Sequence, residues 1–120
     1  MITVRATPQQ AFVLLNDTQF VEAARVLAER ALKEARSTQE RIGFAFRRLT
    51  ARQPTEAELN LLEQLLTEQK AIFKQEPDRA EKLIAVGDRK RDPALEPGEL
   101  AAMTSVSQAI MNLDATVWKR

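Results

Sequence analysis

Helix start signals divide the chain into about six segments, and the placement of these signals constrains the fold more than any other feature of the sequence. Serine or threonine caps free backbone N–H groups at a helix start, and proline suits the first helical turn. Within the segments, apolar residues recur every three or four positions, and two-residue alternation is absent. The sequence therefore predicts an all-α fold with no β-sheet. The start signals are Thr7-Pro8, Ser37 with Glu40, Thr55 with Glu58, and Glu96-Pro97.

We expect a compact bundle of five to six helices arranged as antiparallel hairpins, forming a single α-helical domain over residues 1–120. In the last helix, one apolar stripe is expected, with Thr104, Ser105 and Ser107 as small polar positions on its flank. Between the last two helices, the charged run from Asp88 to Asp92 is interpreted as a solvated loop, with a docking loop as the open alternative. The expected helices cover residues 7–16, 18–35, 38–51, 56–75 and 78–86, and the last begins at 97.

The composition excludes several classes of active site. The chain has no cysteine and no histidine, which removes zinc fingers, thiol nucleophiles, haem attachment and serine–histidine catalysis. Its three glycines lie far apart, so no glycine-rich loop can hold a phosphate. No apolar run reaches the roughly 18 residues of a membrane span. We expect no catalytic residue, metal, cofactor or membrane insertion.

Arginines make the segment from 38 to 51 basic, which fits either phosphate binding or ion pairs within the fold. Phosphate binding would need exposed aromatic residues beside the cations, and Phe44 and Phe46 fit a core pattern instead. The net charge of only +1 does not indicate nucleic-acid binding. We therefore expect no nucleic-acid partner and expect the arginines to pair with the acidic start of the next helix. These arginines are Arg41, Arg47, Arg48 and Arg52.

Phe44 lies on the opposite side of its helix from Phe46, at 100° per residue. A helix that is apolar on opposite sides is usually packed between two others. This pattern predicts that the segment from 38 to 51 is the central helix of the bundle, with Phe44 fully buried. Gly43 in the same helix is interpreted as merely tolerated.

The N-terminal segment resembles a specific family. Its pattern is Arg5, then Thr7-Pro8, then Gln10-Ala11 followed by apolar residues and Asn16-Asp17. Further matches are the stretch 20–24, the segment from 41 to 58, and Leu113-Asp114 at the end. On these residues the chain is identified as a member of domain-of-unknown-function family 1553, which is found at the C-terminal end of large multidomain planctomycete proteins.

The resemblance implies where the chain lies in a larger protein and implies no activity for its residues. It implies that the chain is the C-terminal part of a larger domain or multidomain protein, exported to the periplasm or the cell surface. Relatives of this kind often carry a cytochrome-like region and other uncharacterised domains upstream. The motif residues are interpreted as structural, serving caps and helix ends, with ligand binding as the open alternative. They are Arg5, Thr7, Pro8, Gln10, Asn16 and Asp17.

The expected function is that of a non-catalytic structural or interaction module whose partners are upstream domains of the same protein or another protein. One alternative is an accessory wall or lid of a hydrolytic or redox site formed by upstream domains, and another is a free-standing helical adaptor. The candidate interaction patch is Phe12, Val13 and Leu15, since residues 11–15 are all apolar and point around the whole helix.

An exposed patch of this kind predicts weak self-association of the isolated chain into a homodimer. Val13→Glu is expected to abolish it, because a carboxylate cannot be buried unpaired in an apolar contact. Sedimentation velocity over a concentration series measures the difference. A strictly monomeric wild-type chain would contradict the patch.

Overall fold

Five helices follow one another along the part of the chain that the structure describes. The structure is a computed structural model; it describes residues 18–118, with side chains to residue 113. The helices are α1 (Thr18–Glu34), α2 (Thr38–Thr50), α3 (Glu56–Gln75), α4 (Pro77–Ile84) and α5 (Pro97–Trp118). No strand occurs among these residues, so the predicted all-α class is confirmed.

Two predicted helix starts have the capping box that their sequences indicate. At α2, the Ser37 hydroxyl accepts the N–H of Glu40, whose carboxylate accepts the N–H of Ser37. Thr55 and Glu58 make the same reciprocal pair at α3. Each box satisfies two backbone donors that a helix start leaves free. These local contacts explain why the predicted starts are accurate.

α5 begins with a cap of a different kind. The Glu96 carboxylate accepts the N–H groups of Gly98 and Glu99, at 2.8 and 3.0 Å. A Cβ added at Gly98 would lie 3.1 Å from a Glu96 oxygen, so glycine leaves room for the cap. A carboxylate is also favoured at a helix N-terminus by the helix dipole.

α5 is the central helix of the bundle. It packs against each of the other four, which contact one another in a closed ring in the order α1, α2, α3, α4 and back to α1. Its buried residues point in all directions from the helix axis, as expected for a helix enclosed on every side. They are Leu100, Ala101, Ala102, Met103, Thr104, Val106, Ser107 and Ile110.

This arrangement corrects the prediction of small polar residues on the flank of α5 at two positions. Thr104 and Ser107 are fully buried and are not flank positions, whereas Ser105 is half-buried, as expected for a flank. The Thr104 hydroxyl donates to the Leu100 carbonyl, which satisfies it inside the core. Small residues at these sites let neighbouring helices approach α5 closely. A periodicity search for large apolar residues misses such positions.

The prediction that the segment from 38 to 51 is central is wrong. α2 lies in the ring, with Ile42, Ala45 and Phe46 buried. Phe44 is half-buried at the edge of the core, and its ring is partly covered by the guanidinium groups of Arg30 and Arg48. Arginine side chains can cover part of an aromatic ring that no second helix covers.

Two positions of α2 have residues that do not suit their backbone. Gly43 lies in the helix interior, with nothing within 4 Å of an added Cβ. Ala51, directly after the helix, has a φ of 63°, the left-handed conformation that favours glycine. The chain therefore places glycine where alanine fits and alanine where glycine fits.

Gly43→Ala and Ala51→Gly are each expected to raise the free energy of unfolding by about 0.5–1 kcal/mol. Urea unfolding followed by circular dichroism measures both. Ala45→Gly, at a buried position of the same helix, is the control and is expected to lose about 1–2 kcal/mol. A loss of stability in Gly43→Ala would reveal a close helix contact at that point.

Candidate functional site

A polar latch joins α1 to the loop between α4 and α5. We define it as Arg25, Glu29 and Lys33 of α1 with residues 89–92 of the loop. Arg25 is fully buried; its guanidinium donates to the Glu29 carboxylate at 2.7 Å and to the Arg89 carbonyl. Glu29 in turn accepts the Asp92 N–H at 2.9 Å. Arg25 and Glu29 thus hold the loop by backbone groups of Arg89 and Asp92.

The spacing of α1 accounts for the latch on the helix side. Arg25, Glu29 and Lys33 are four residues apart, which places them on one face. Glu22 precedes them on that face and accepts the Arg89 N–H. Gly87 begins the loop with a φ of 98°, and an added Cβ would lie 2.5 Å from Glu22. Glycine is therefore required there for both conformation and space.

An ion pair closes the latch at its outer end. Lys33 Nζ lies 2.5 Å from an Asp92 carboxylate oxygen. The hydrogen bond to Asp92 raises the pKa of Lys33, and the same bond lowers the pKa of Asp92, helped by the Ala94 N–H. The prediction that Asp88 to Asp92 is a solvated loop is thus wrong for its later part. Its backbone is bonded to α1.

One of the three guanidinium nitrogens of Arg25 has no partner in the latch. This nitrogen, Nε, is buried and meets no hydrogen-bond acceptor among the described residues. A buried guanidinium is stabilised by its two partners, Glu29 and the Arg89 carbonyl, at the cost of its lost hydration. The arrangement is that of a structural arginine.

The start of α3 holds the most strongly shifted carboxyl group. Arg52 binds both oxygens of Glu58, at 2.8 and 2.9 Å. These bonds, followed by the Thr55 N–H of the capping box, lower the pKa of Glu58 from 4.5 to about 2. The expected pairing of basic α2 with the acidic start of α3 is confirmed for Arg52 and is wrong for Arg41, which pairs with Glu99 of α5. At α2, the bond from the Ser37 N–H lowers the pKa of Glu40 in the same way.

A cleft of about 480 Å³ lies between α3, α4 and the start of α5. Its floor includes Phe73 and Ala80, and Lys70 and Lys74 stand on one rim. The acidic groups opposite are already bound, since Glu81 accepts from Arg91 and Glu96 caps α5. A ligand in the cleft would therefore meet an apolar floor and two lysines, because Glu81 and Glu96 are bound to other parts of the fold.

A second, shallower hollow lies on α2. Its volume is about 330 Å³, and it is lined by Phe44, Arg47, Arg48 and Ala51. Both arginines are exposed. The Arg48 guanidinium lies 5.0 Å from the centre of the Phe44 ring, and that of Arg30, from α1, lies 5.7 Å away. We call this site the basic hollow.

The residues that the sequence singled out as motif or interaction positions all precede Thr18 and lie outside the described residues. This holds for Arg5, Thr7, Pro8, Gln10, Asn16 and Asp17, and for the patch of Phe12, Val13 and Leu15. Their roles stay predictions.

Within residues 18–118, no three acidic side chains come together as a metal site would require. In the same part of the chain, no helix is both long and apolar enough to cross a membrane.

Comparison with known families places the chain. Residues 3–66 match the family described as "Protein of unknown function (DUF1553)", which is more than half of the sequence. The chain belongs to the DUF1553 family. No curated protein and no solved structure matches it.

The DUF1553 match has a clear position in the fold. It covers α1, α2 and the first half of α3, and therefore the basic hollow, both capping boxes and the helix side of the latch. The latch loop, the cleft and α5 follow it. The N-terminal motif and the segment from 41 to 58 lie within the match, while Leu113-Asp114 lies beyond it.

Arg25 is the residue that sequence reasoning missed. One signal was present, because an arginine within the apolar stripe of α1, between Ala24 and Ala28, stands where a hydrophobic residue is expected. A cation at such a position indicates a buried partner, which the sequence alone does not identify.

Arg25→Met is expected to lower the free energy of unfolding by about 2–4 kcal/mol, because it leaves the Arg89 carbonyl and Glu29 without their donor. Arg30→Met is the matched control. Arg30 also pairs with a glutamate four residues on, Glu34, and both side chains are about half exposed. Its loss is expected to cost less than about 1 kcal/mol. Equal losses in chemical denaturation would show that the latch adds nothing.

Glu58→Gln is expected to lose about 0.5–1 kcal/mol near pH 7, because glutamine keeps the cap and loses the ion pair with Arg52. The lowered folded-state pKa means that the pair stabilises the fold fully above about pH 4.5 and stops doing so as pH falls through about 2. Thermal unfolding at several pH values should show the two proteins converging in acid. A difference that persists at pH 2 would contradict the assignment to the carboxylate charge.

Proposed function

We propose that this DUF1553 chain is a non-catalytic helical module that docks on the rest of a larger exported protein, at the periplasm or cell surface. The observation that carries the proposal concerns the titratable groups. Each group with a shifted pKa among the described residues is held by a cap or an ion pair that fixes the fold. Catalytic sites instead concentrate shifted groups around a cleft, aimed at a substrate.

The interaction half of the proposal is supported by the sequence of the N-terminal segment and by the charge on α2. The patch of Phe12, Val13 and Leu15 is the expected docking surface, because five consecutive apolar residues cannot all face one side of a helix. In the described part of the chain, Leu61 of α3 is the most exposed large apolar side chain, at 66%. Leu61 therefore serves as the control position for the patch of Phe12, Val13 and Leu15.

An accessory wall or lid for a site formed by upstream domains is the second candidate. The cleft between α3, α4 and α5 favours it, since it combines an apolar floor with Lys70 and Lys74 on the rim. Those lysines could contact an anionic group held by another domain. The module proposal is preferred because the acids of the cleft are bound elsewhere.

The proposal is tested by expressing the rest of the native reading frame and this chain as two polypeptides. We expect them to co-elute in gel filtration as a 1:1 complex, and we expect Val13→Glu to dissociate it. Leu61→Glu is the matched control and should leave it intact. Independent elution of the wild-type parts, or a frame that encodes these residues alone, would contradict docking.

The same experiment separates the two candidates. A Lys70→Gln/Lys74→Gln double variant should co-elute and should leave any activity of the full protein unchanged. Loss of activity in a complex that still forms would favour the wall or lid.

A further inference from the structure

The basic hollow holds two cations that no described carboxylate pairs with. Carboxylates lie within 4 Å of six of the ten described arginines, and Arg47 and Arg48 are the two of the other four that line one hollow. Both are exposed, one turn from the end of α2. The arginines with partners are Arg25, Arg30, Arg41, Arg52, Arg79 and Arg91.

The aromatic ring beneath them organises the hollow. Phe44 is half-buried, so its position is fixed by the core, while part of its ring faces the hollow. Arg48 stacks on this ring at 5.0 Å. A guanidinium stacked on a ring keeps the N–H donors at its edge available and loses less conformational entropy when it binds.

Planar carboxylates match the two-pronged donor edge of arginine. A segment with acidic side chains and an apolar residue for the Phe44 ring would complement both parts of the hollow. We propose that the basic hollow is a docking site for an acidic segment of a protein partner, with Arg47 and Arg48 as the carboxylate-binding residues. This inference rests on the proposed function, for which it names a second contact surface and the partner's chemistry.

A protein partner fits the hollow better than a nucleic acid does. Binding along a phosphate backbone needs a line of free cations and several stacking rings. Here the hollow has one ring and a volume of about 330 Å³, and the nearby Arg41 and Arg52 are paired with Glu99 and Glu58. The surface therefore matches a short peptide.

The test uses a fluorescein-labelled 12-residue peptide of alternating glutamate and glycine with one central leucine, and its glutamine counterpart. Fluorescence anisotropy at low salt should show the acidic peptide binding to the wild-type chain, with affinity falling as salt rises. Arg47→Gln/Arg48→Gln should weaken it about tenfold or more, a loss of about 1.4 kcal/mol. The glutamine peptide should bind at least about tenfold more weakly than the acidic one.

Lys70→Gln/Lys74→Gln is the matched control, because it removes the same charge from the rim of the cleft. It should bind the acidic peptide as the wild-type chain does. Phe44→Leu keeps an apolar side chain in the core and removes the ring, so it should weaken binding with little change in melting temperature. Thermal unfolding of every variant by circular dichroism checks that it folds.

Four outcomes would overturn the proposal: no binding of the acidic peptide, equal binding by the arginine and lysine double variants, binding of the glutamine peptide as tight as that of the acidic one, or tighter binding of a 12-nucleotide oligothymidylate. The last would indicate a nucleic-acid surface. If the acidic peptide fails to bind while the two polypeptides still co-elute, the module docks elsewhere. If it binds and they do not co-elute, the hollow serves a separate partner.

Discussion

The enclosure of α5 is the constraint on which the rest of the structure depends. A helix that is buried on every side needs four neighbours, and α1 to α4 provide them as a closed ring. Short side chains at Ala101, Ala102 and Ser107 let those neighbours come close, while Met103 and Ile110 fill the wider spaces. Each outer helix then buries a single stripe against α5 and keeps a polar face for solvent.

The loop between α4 and α5 leads the chain into the central helix, and the latch fixes the position of that loop. The loop before α5 carries many charges, and nothing apolar in its middle could hold it on the bundle. Arg25 and Glu29 of α1 hold it through its backbone instead, while Glu96 caps the helix that follows. Burial removes the hydration of the Arg25 guanidinium, and its hydrogen bonds to Glu29 and to the Arg89 carbonyl offset that cost.

The sequence predicted what local chemistry decides. Both capping boxes, the start of α5 at Pro97 and the pairing of Arg52 with Glu58 follow from contacts within six residues. The errors were all non-local. The centrality of α5, the burial of Thr104 and the latch depend on residues far apart in the sequence, such as Arg25 and Arg89, which are 64 positions apart. The predicted burial of Phe44 between two helices was wrong because apolar periodicity indicates a core position for a ring, whether a helix or two arginines cover it.

The DUF1553 match covers only part of the bundle core. Residues 3–66 include α1, α2 and half of α3, whose apolar stripes face a helix that begins at Pro97. The described residues of the match therefore bury their apolar stripes against α5, which lies outside the match. Phe44 in the basic hollow packs on this same core, so the position of Arg48 above it also depends on α5. A surface in the matched residues is thus held in shape by residues beyond them, which makes α5 a requirement for any docking role of α2.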